Sequence, residues 1–178
     1  VEDKELAKDG MVNDGIISTK LGLQGISDLA EKIIIERDLT LLEDFNCRYH
    51  VSQISSSKSV DIVDQKKDVV DFTTGVSINN LSLNENDVGD FRTFLKLSPP
   101  LRTEDDRVSL IKAINKNLID VIVSDHKPED EESKRLTFSQ AATGASGIET
   151  LLSLSLELFH NGSVKLFKII ELLTSNPA

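Results

Sequence analysis

The stretch Val121–Glu132, VIVSDHKPEDEE, decides how the rest of the chain is read. An apolar run of strand type stops abruptly at Asp125 and His126, and Pro128 and a burst of acid follow. A parallel strand delivers its last side chains to the carboxyl edge of its sheet, where active groups gather. An Asp–His pair placed there can hold a metal or carry a proton. Asp is also an ordinary turn or helix cap. The local pattern leaves both readings of Asp125 open.

Outward from this stretch, strands and helices alternate. SDLAEKIIIERDLTLLEDFN, from Ser27 to Asn46, reads as a helix capped by Ser27 with Glu31 nearby, and Leu29, Ile33, Leu39 and Leu42 form its apolar face. RYHVSQIS, Arg48 to Ser55, reads as a strand with Tyr49, Val51 and Gln53 on one face. Ser57 caps a helix that runs through Lys67, and VVDFTTGV, Val69 to Val76, is the next strand. Residues 79–100 are rich in loop formers, and Pro99-Pro100 excludes a helix interior or a central strand. Thr103 followed by Glu104, Asp105 and Asp106 is a cap with acids at the positive end of a helix dipole. That helix leads into the strand LIDVIVSD. Two further helices, Ile148–Phe159 and Val164–Leu173, are separated by the stop signal Asn161-Gly162.

Strands joined by helices imply parallel βαβ units. Gln53, Gly75 and Asp125 then come together at the mouth of one sheet. The visible strands are too few to close an eight-stranded barrel, so half a barrel is expected. The start at Val1 and the turn-like Asn176-Pro177-Ala178 suggest an interior piece of a longer polypeptide, residues 1–178 forming one segment.

Composition narrows the class. With 39% hydrophobic and 28% charged residues, the chain is of globular type. A net charge of −10 argues against a nucleic-acid or anionic-membrane surface. Cys47 is the only cysteine, so neither a disulfide framework nor a thiolate metal cage can form. That suits a reducing cytoplasm, and no signal peptide or long apolar span is present.

Other residue types that could carry chemistry have plainer readings. His50, inside a strand, reads as a hydrogen-bonded core residue more readily than as a ligand. His160 ends a helix, where a cation suits the dipole. Glu129 to Glu132 read as a solvated loop. Gly144, Ala145, Ser146 and Gly147 form a small-residue turn before a helix, whose free amides could face an anion. Its spacing matches neither a P-loop nor a dinucleotide fingerprint.

VSDHKPEDEESKRLTF (Val123–Phe138), ATGASGIETLLSLSLEL (Ala142–Leu158) and IIELLTSNPA (Ile169–Ala178) together resemble the closing segment of dihydroorotases. These are cyclic amidohydrolases of the pyrimidine pathway with a TIM-barrel fold. The upstream stretches VEDKELAKDGMVNDG, LGLQGISDLAE, Arg37-Asp38 and PPLRTEDDR fall in the family's order, so the resemblance spans the chain. It implies an α/β fold: the carboxyl-terminal portion of a TIM (β/α)8 barrel, parallel strands alternating with helices.

The resemblance also implies a chemistry. In that family a binuclear zinc centre polarises the amide carbonyl, and an aspartate matched by Asp125 touches the metal and moves the proton. Gly144 lies in the family's substrate turn. Other matched positions differ: the metal-binding histidine is Gln53, the substrate-contacting asparagine is Ser98, and the histidine that helps bind the substrate carboxylate is Glu129. The family's Pro-His-His is Ile78-Asn79-Asn80. A neutral amide is a poor zinc ligand, and a carboxylate repels an anionic substrate. The expectation is a family member with little or no catalysis, with zinc absent or weakly held. The resemblance implies a structural role beside aspartate transcarbamoylase in a homo- or hetero-oligomer; an active cyclic amidohydrolase with altered ligands is the competing reading.

Overall fold

The computed structural model describes residues 1–45 and 47–178. Asn46, which ends the helix read from Ser27, lies outside the described residues. In chain order the elements are β1 (Val12–Asn13), α1 (Ile16–Leu21), β2 (Gly25–Ile26), α2 (Leu29–Leu42), β3 (His50–Ile54), α3 (Ser57–Lys66), β4 (Thr73–Ser77) and α4 (Ile78–Ser82). Two 3-10 turns follow, Glu85–Val88 and Thr93–Leu95, then α5 (Glu104–Asn115), β5 (Val121–Val123), α6 (Glu131–Lys134), α7 (Leu151–His160) and α8 (Leu166–Leu173).

Strands β3, β4 and β5 form one parallel sheet in that order, as the βαβ pattern requires. Thr73 stands beside His50, and Gly75, Val76 and Ser77 stand beside Val121, Ile122 and Val123. One face of the sheet contributes Val51, Ile54, Val76 and Ile122 to the main core, where they meet Leu110, Ile114, Leu158 and Ile169 from the helices. The other face carries His50, Ser52 and Thr73, all exposed. Helix α5 starts as read: Thr103 accepts from the Asp106 amide, and Asp106 accepts from the Thr103 amide. Asn161 and Gly162, the latter at φ 75°, stop α7. No helix among the described residues is long and apolar enough to cross a membrane.

Several boundaries differ from the sequence reading, each for a local reason. In β3 the register slips between Val51 and Ile54, so Ile54 rather than Gln53 joins Val51 in the core. A bulge of this kind re-aims the side chains that follow it, and here it leaves Gln53 half-buried at the strand's end. In α2 the buried face is Ala30, Glu31, Ile35 and Leu39, while Leu29 and Ile33 are exposed. The run Ile33-Ile34-Ile35 is apolar on every side and does not reveal its inward face. The cap of α3 is Ser56, not Ser57: Ser56 accepts from the Ser59 amide, and Ser57 turns instead to Asp106. Val69–Phe72 precede β4 as turn and coil, and the ordered strand before Asp125 is only three residues long.

Residues 79–100 contain short helical turns, and the acidic loop folds into α6 with Asp130 as its cap. Helix α7 begins at Leu151 and α8 at Leu166. The β1–β2 pair was not anticipated, because two-residue strands are too short to show alternation.

Candidate functional site

At the carboxyl mouth of the three-stranded sheet, Gln53 Nε2 donates to Asp125 Oδ1 at 3.0 Å. These two residues are 72 positions apart in sequence and end non-adjacent strands, yet they meet directly. Asp125 has φ 50°, a left-handed backbone that Asp tolerates better than most residues. That turn ends the extended run, so strand alternation does not set the direction of His126. The His126 Nδ1 accepts from the amides of Gly147, at 3.2 Å, and Ile148, at 3.3 Å. Accepting at Nδ1 leaves the proton of the neutral ring on Nε2. His126 therefore fastens the small-residue turn to the end of β5.

The turn itself is largely committed to internal partners. The Gly144 amide donates to the Lys96 carbonyl at 2.9 Å, and Gly147 and Ile148 donate to His126. Gly144 has φ 142°, and a Cβ there would lie 2.5 Å from the Lys127 carbonyl oxygen. At Gly147 a Cβ would lie 2.2 Å from the Ser124 carbonyl oxygen. Glycine is thus required at both positions to bring this turn against the strand end.

Ser98 is exposed, and its hydroxyl donates to Glu2 Oε2 at 3.0 Å. Glu129 is exposed and pairs loosely with Lys127 at 3.8 Å. Asn80 donates to the Pro100 carbonyl at 3.0 Å, tying α4 to the proline turn, while the buried Asn79 Nδ2 has no partner. His50 is hydrogen-bonded to Thr73 Oγ1 at 2.7 Å as expected, but it lies on the exposed face of the sheet rather than in the core. His160 is the last, exposed residue of α7, its ring 5.3 Å from that of Phe159 and tilted 51° to it. A surface hollow lined by Leu42, Glu43, Phe45, Arg48, Val70 and Asp71 lies toward the amino ends of the strands, away from Asp125.

Beneath the mouth is a polar network that the sequence reading missed. Glu31 is fully buried, and its carboxylate accepts from the amides and hydroxyls of Ser55 and Ser56. Arg102, also buried, donates from Nε to Ser55 Oγ and from Nη1 to Asn13 Oδ1 and the Ile26 carbonyl. Its Nη2 stands 3.6 Å from Glu2 Oε1. Asp106 accepts from the Ser57 amide and hydroxyl. Burial pushes the Asp106 carboxyl up, but the hydrogen bonds from Thr103 and Ser57 outweigh it and hold it below its usual range. The run Ser55-Ser56-Ser57 was the available signal, since three consecutive hydroxyls after a strand demand acceptors.

Whether a metal fits can be judged from the donors. Among the described residues no group of three His, Cys, Asp or Glu side chains could hold one. At the mouth the Gln53 amide nitrogen, which carries no lone pair for a metal, faces the Asp125 carboxylate. The donors of this segment do not make a zinc site by themselves.

No protein-family model matches the chain. Curated relatives do. The chain is 41% identical over 99% of its length to a protein of Ehrlichia canis named dihydroorotase, and 42% identical over the same share to one of Anaplasma phagocytophilum. It spans about 40% of the length of each. Over 98% of this chain and 39% of the other, the fold matches L-hydantoinase (dihydropyrimidinase) from Arthrobacter aurescens, with a TM-score of 0.82 and 24% identity. The resemblance seen in the motifs is therefore shown over nearly the whole chain.

Proposed function

We propose that this chain is the carboxyl-terminal portion of a dihydroorotase-like barrel whose metal and substrate positions have been converted to internal hydrogen bonding, leaving little or no catalysis. The observation that carries this reading is the Gln53–Asp125 hydrogen bond, formed at the positions matched to a metal-binding histidine and a metal-touching aspartate. A parallel sheet is normally covered on both faces. The exposed His50, Ser52 and Thr73 fit a sheet whose second face belongs to the rest of a barrel. On this reading the protein serves cytoplasmic pyrimidine biosynthesis as a structural partner of aspartate transcarbamoylase, the partner suggested by the family resemblance. It would assemble as a homo- or hetero-oligomer.

A second reading is favoured by the identity of 41–42% to proteins named dihydroorotase. In it the full-length protein is an active, zinc-dependent cyclic amidohydrolase interconverting carbamoyl aspartate and dihydroorotate. Asp125 would take the general-base role, Gly144 would border the substrate, and Ser98 and Glu129 would replace the usual substrate contacts. Bound zinc would supply a Lewis acid there. Zinc content and dihydroorotate turnover of the purified full-length protein separate the two. The first reading expects substoichiometric zinc and no turnover. A full binuclear complement with turnover would overturn it.

A further inference from the structure

Two lysines lie where lysines are seldom found. Lys96 is 8% exposed and Lys134 is 2% exposed, and burial lowers the pKa of both. Neither makes an ion pair among the described residues. The Lys96 ammonium donates to three backbone carbonyls, those of Phe138 at 2.9 Å, Ser139 at 3.0 Å and Ala141 at 2.9 Å. An ammonium has three N–H donors, so its capacity is filled. The Phe138 ring lies 5.8 Å from the same nitrogen.

Lys134 works in the opposite direction. It donates to the Thr93 carbonyl at 3.0 Å and the Ala142 carbonyl at 2.8 Å, and the Thr93 hydroxyl donates to the Lys134 carbonyl. The Gly144 amide on the Lys96 carbonyl completes the exchange. Each segment thus sends a buried cation into the other's backbone. One segment leads directly to Ser98; the other leads directly to Gly144 and the turn held by His126.

We propose that Lys96 and Lys134 are the positioning residues of the mouth, and that the Lys96 ammonium is a built-in monovalent cation filling a cradle of the Phe138, Ser139 and Ala141 carbonyls. The cradle explains why a lysine is buried here without a carboxylate: three carbonyl dipoles replace its hydration. It also explains the ion's type. Three convergent oxygens at hydrogen-bond distance suit one compact ammonium, whereas a guanidinium presents a flat fork. The significance of the two loops rests on the reading under Proposed function. The cradle itself does not, because its test reads loop order and not turnover.

The experiment is hydrogen exchange on the full-length protein, comparing wild type with Lys96→Met, Lys96→Ala and Lys96→Arg. Lys96→Met keeps the apolar stem and removes only the donors. It is expected to speed exchange of amides in 138–147 by about tenfold or more, with β3, β4 and β5 staying protected. Lys96→Ala opens the cradle, so about 0.1 M ammonium chloride should restore slow exchange, by binding only the ordered loop. Tetramethylammonium chloride at equal concentration has no N–H and should not restore it, and Lys96→Arg should remain fast. If Lys96→Ala does not fold, Lys96→Met and Lys96→Arg still decide the positioning role. Wild-type exchange in Lys96→Met, equal restoration by both salts, or equal loss of protection in the sheet and the loop would each overturn the proposal.

Discussion

Residues 51–54 show two opposite solutions side by side. Val51 and Ile54 are fully buried against helices and belong to a saturated apolar core. Gln53, between them, leaves the core through the bulge and has Asp125 as its side-chain partner at the mouth. The same contrast holds for carboxylates. Glu31, below the mouth, accepts from both serine amides and both serine hydroxyls, whereas Asp125, at the mouth, accepts from Gln53. Below the mouth, both oxygens of the Glu31 carboxylate are engaged by serine donors. At the mouth the Gln53 and Asp125 side chains are joined by one hydrogen bond.

Substitutions in the scaffold should cost more than substitutions at the mouth. Ile54→Ala should destabilise the full-length protein most, by about 4 kcal/mol, through lost burial and a residual cavity. Urea denaturation measures it. Glu31→Ala should follow at about 3 kcal/mol, because four buried donors lose their acceptor. The same titration would sink the network's importance if the change were below about 1 kcal/mol.

Asp106→Asn gives a smaller effect with a pH signature. The folded-state carboxyl is held below its ordinary value of about 3.9, so its contribution is fully present above that value and is lost as pH falls through the lower folded value. The variant should be about 1–2 kcal/mol less stable at neutral pH, and the gap should close as pH falls through the lowered folded-state value. A gap that does not change with pH would place the stabilisation elsewhere. Gln53→Ala should be mildest, below about 1 kcal/mol, since it removes one half-buried hydrogen bond.

Much of this contrast was legible in the sequence, and the illegible parts share a cause. The cap at Thr103, the stop at Asn161-Gly162 and the parallel order of three strands follow from local chemistry and βαβ logic. So does the meeting of Gln53 and Asp125, which the carboxyl-end rule brings to one mouth. The bulge in β3 was hidden because one slipped residue exchanges Gln53 for Ile54 without changing composition. Exposed Leu29 and Ile33 were misplaced because α2 is apolar on more than one side. Buried Glu31, Lys96, Lys134 and Arg102 run against residue-type expectation. Glu31, Lys96 and Arg102 depend on partners between 24 and 89 positions away, and Lys134 on Thr93, 41 positions away, as well as the nearer Ala142; no local window contains the distant partners.

On the proposed reading, the scaffold is a dihydroorotase-like one and the mouth of this segment does not hold zinc tightly. Zinc binding to the full-length protein, measured in parallel with Asp125→Asn and with the triple substitution Gln53→His, Ser98→Asn, Glu129→His, tests it most directly. The unmodified protein and Asp125→Asn should bind zinc equally weakly, and the triple substitution should raise the affinity. Stoichiometric, tight zinc in the unmodified protein that is lost in Asp125→Asn would contradict that reading.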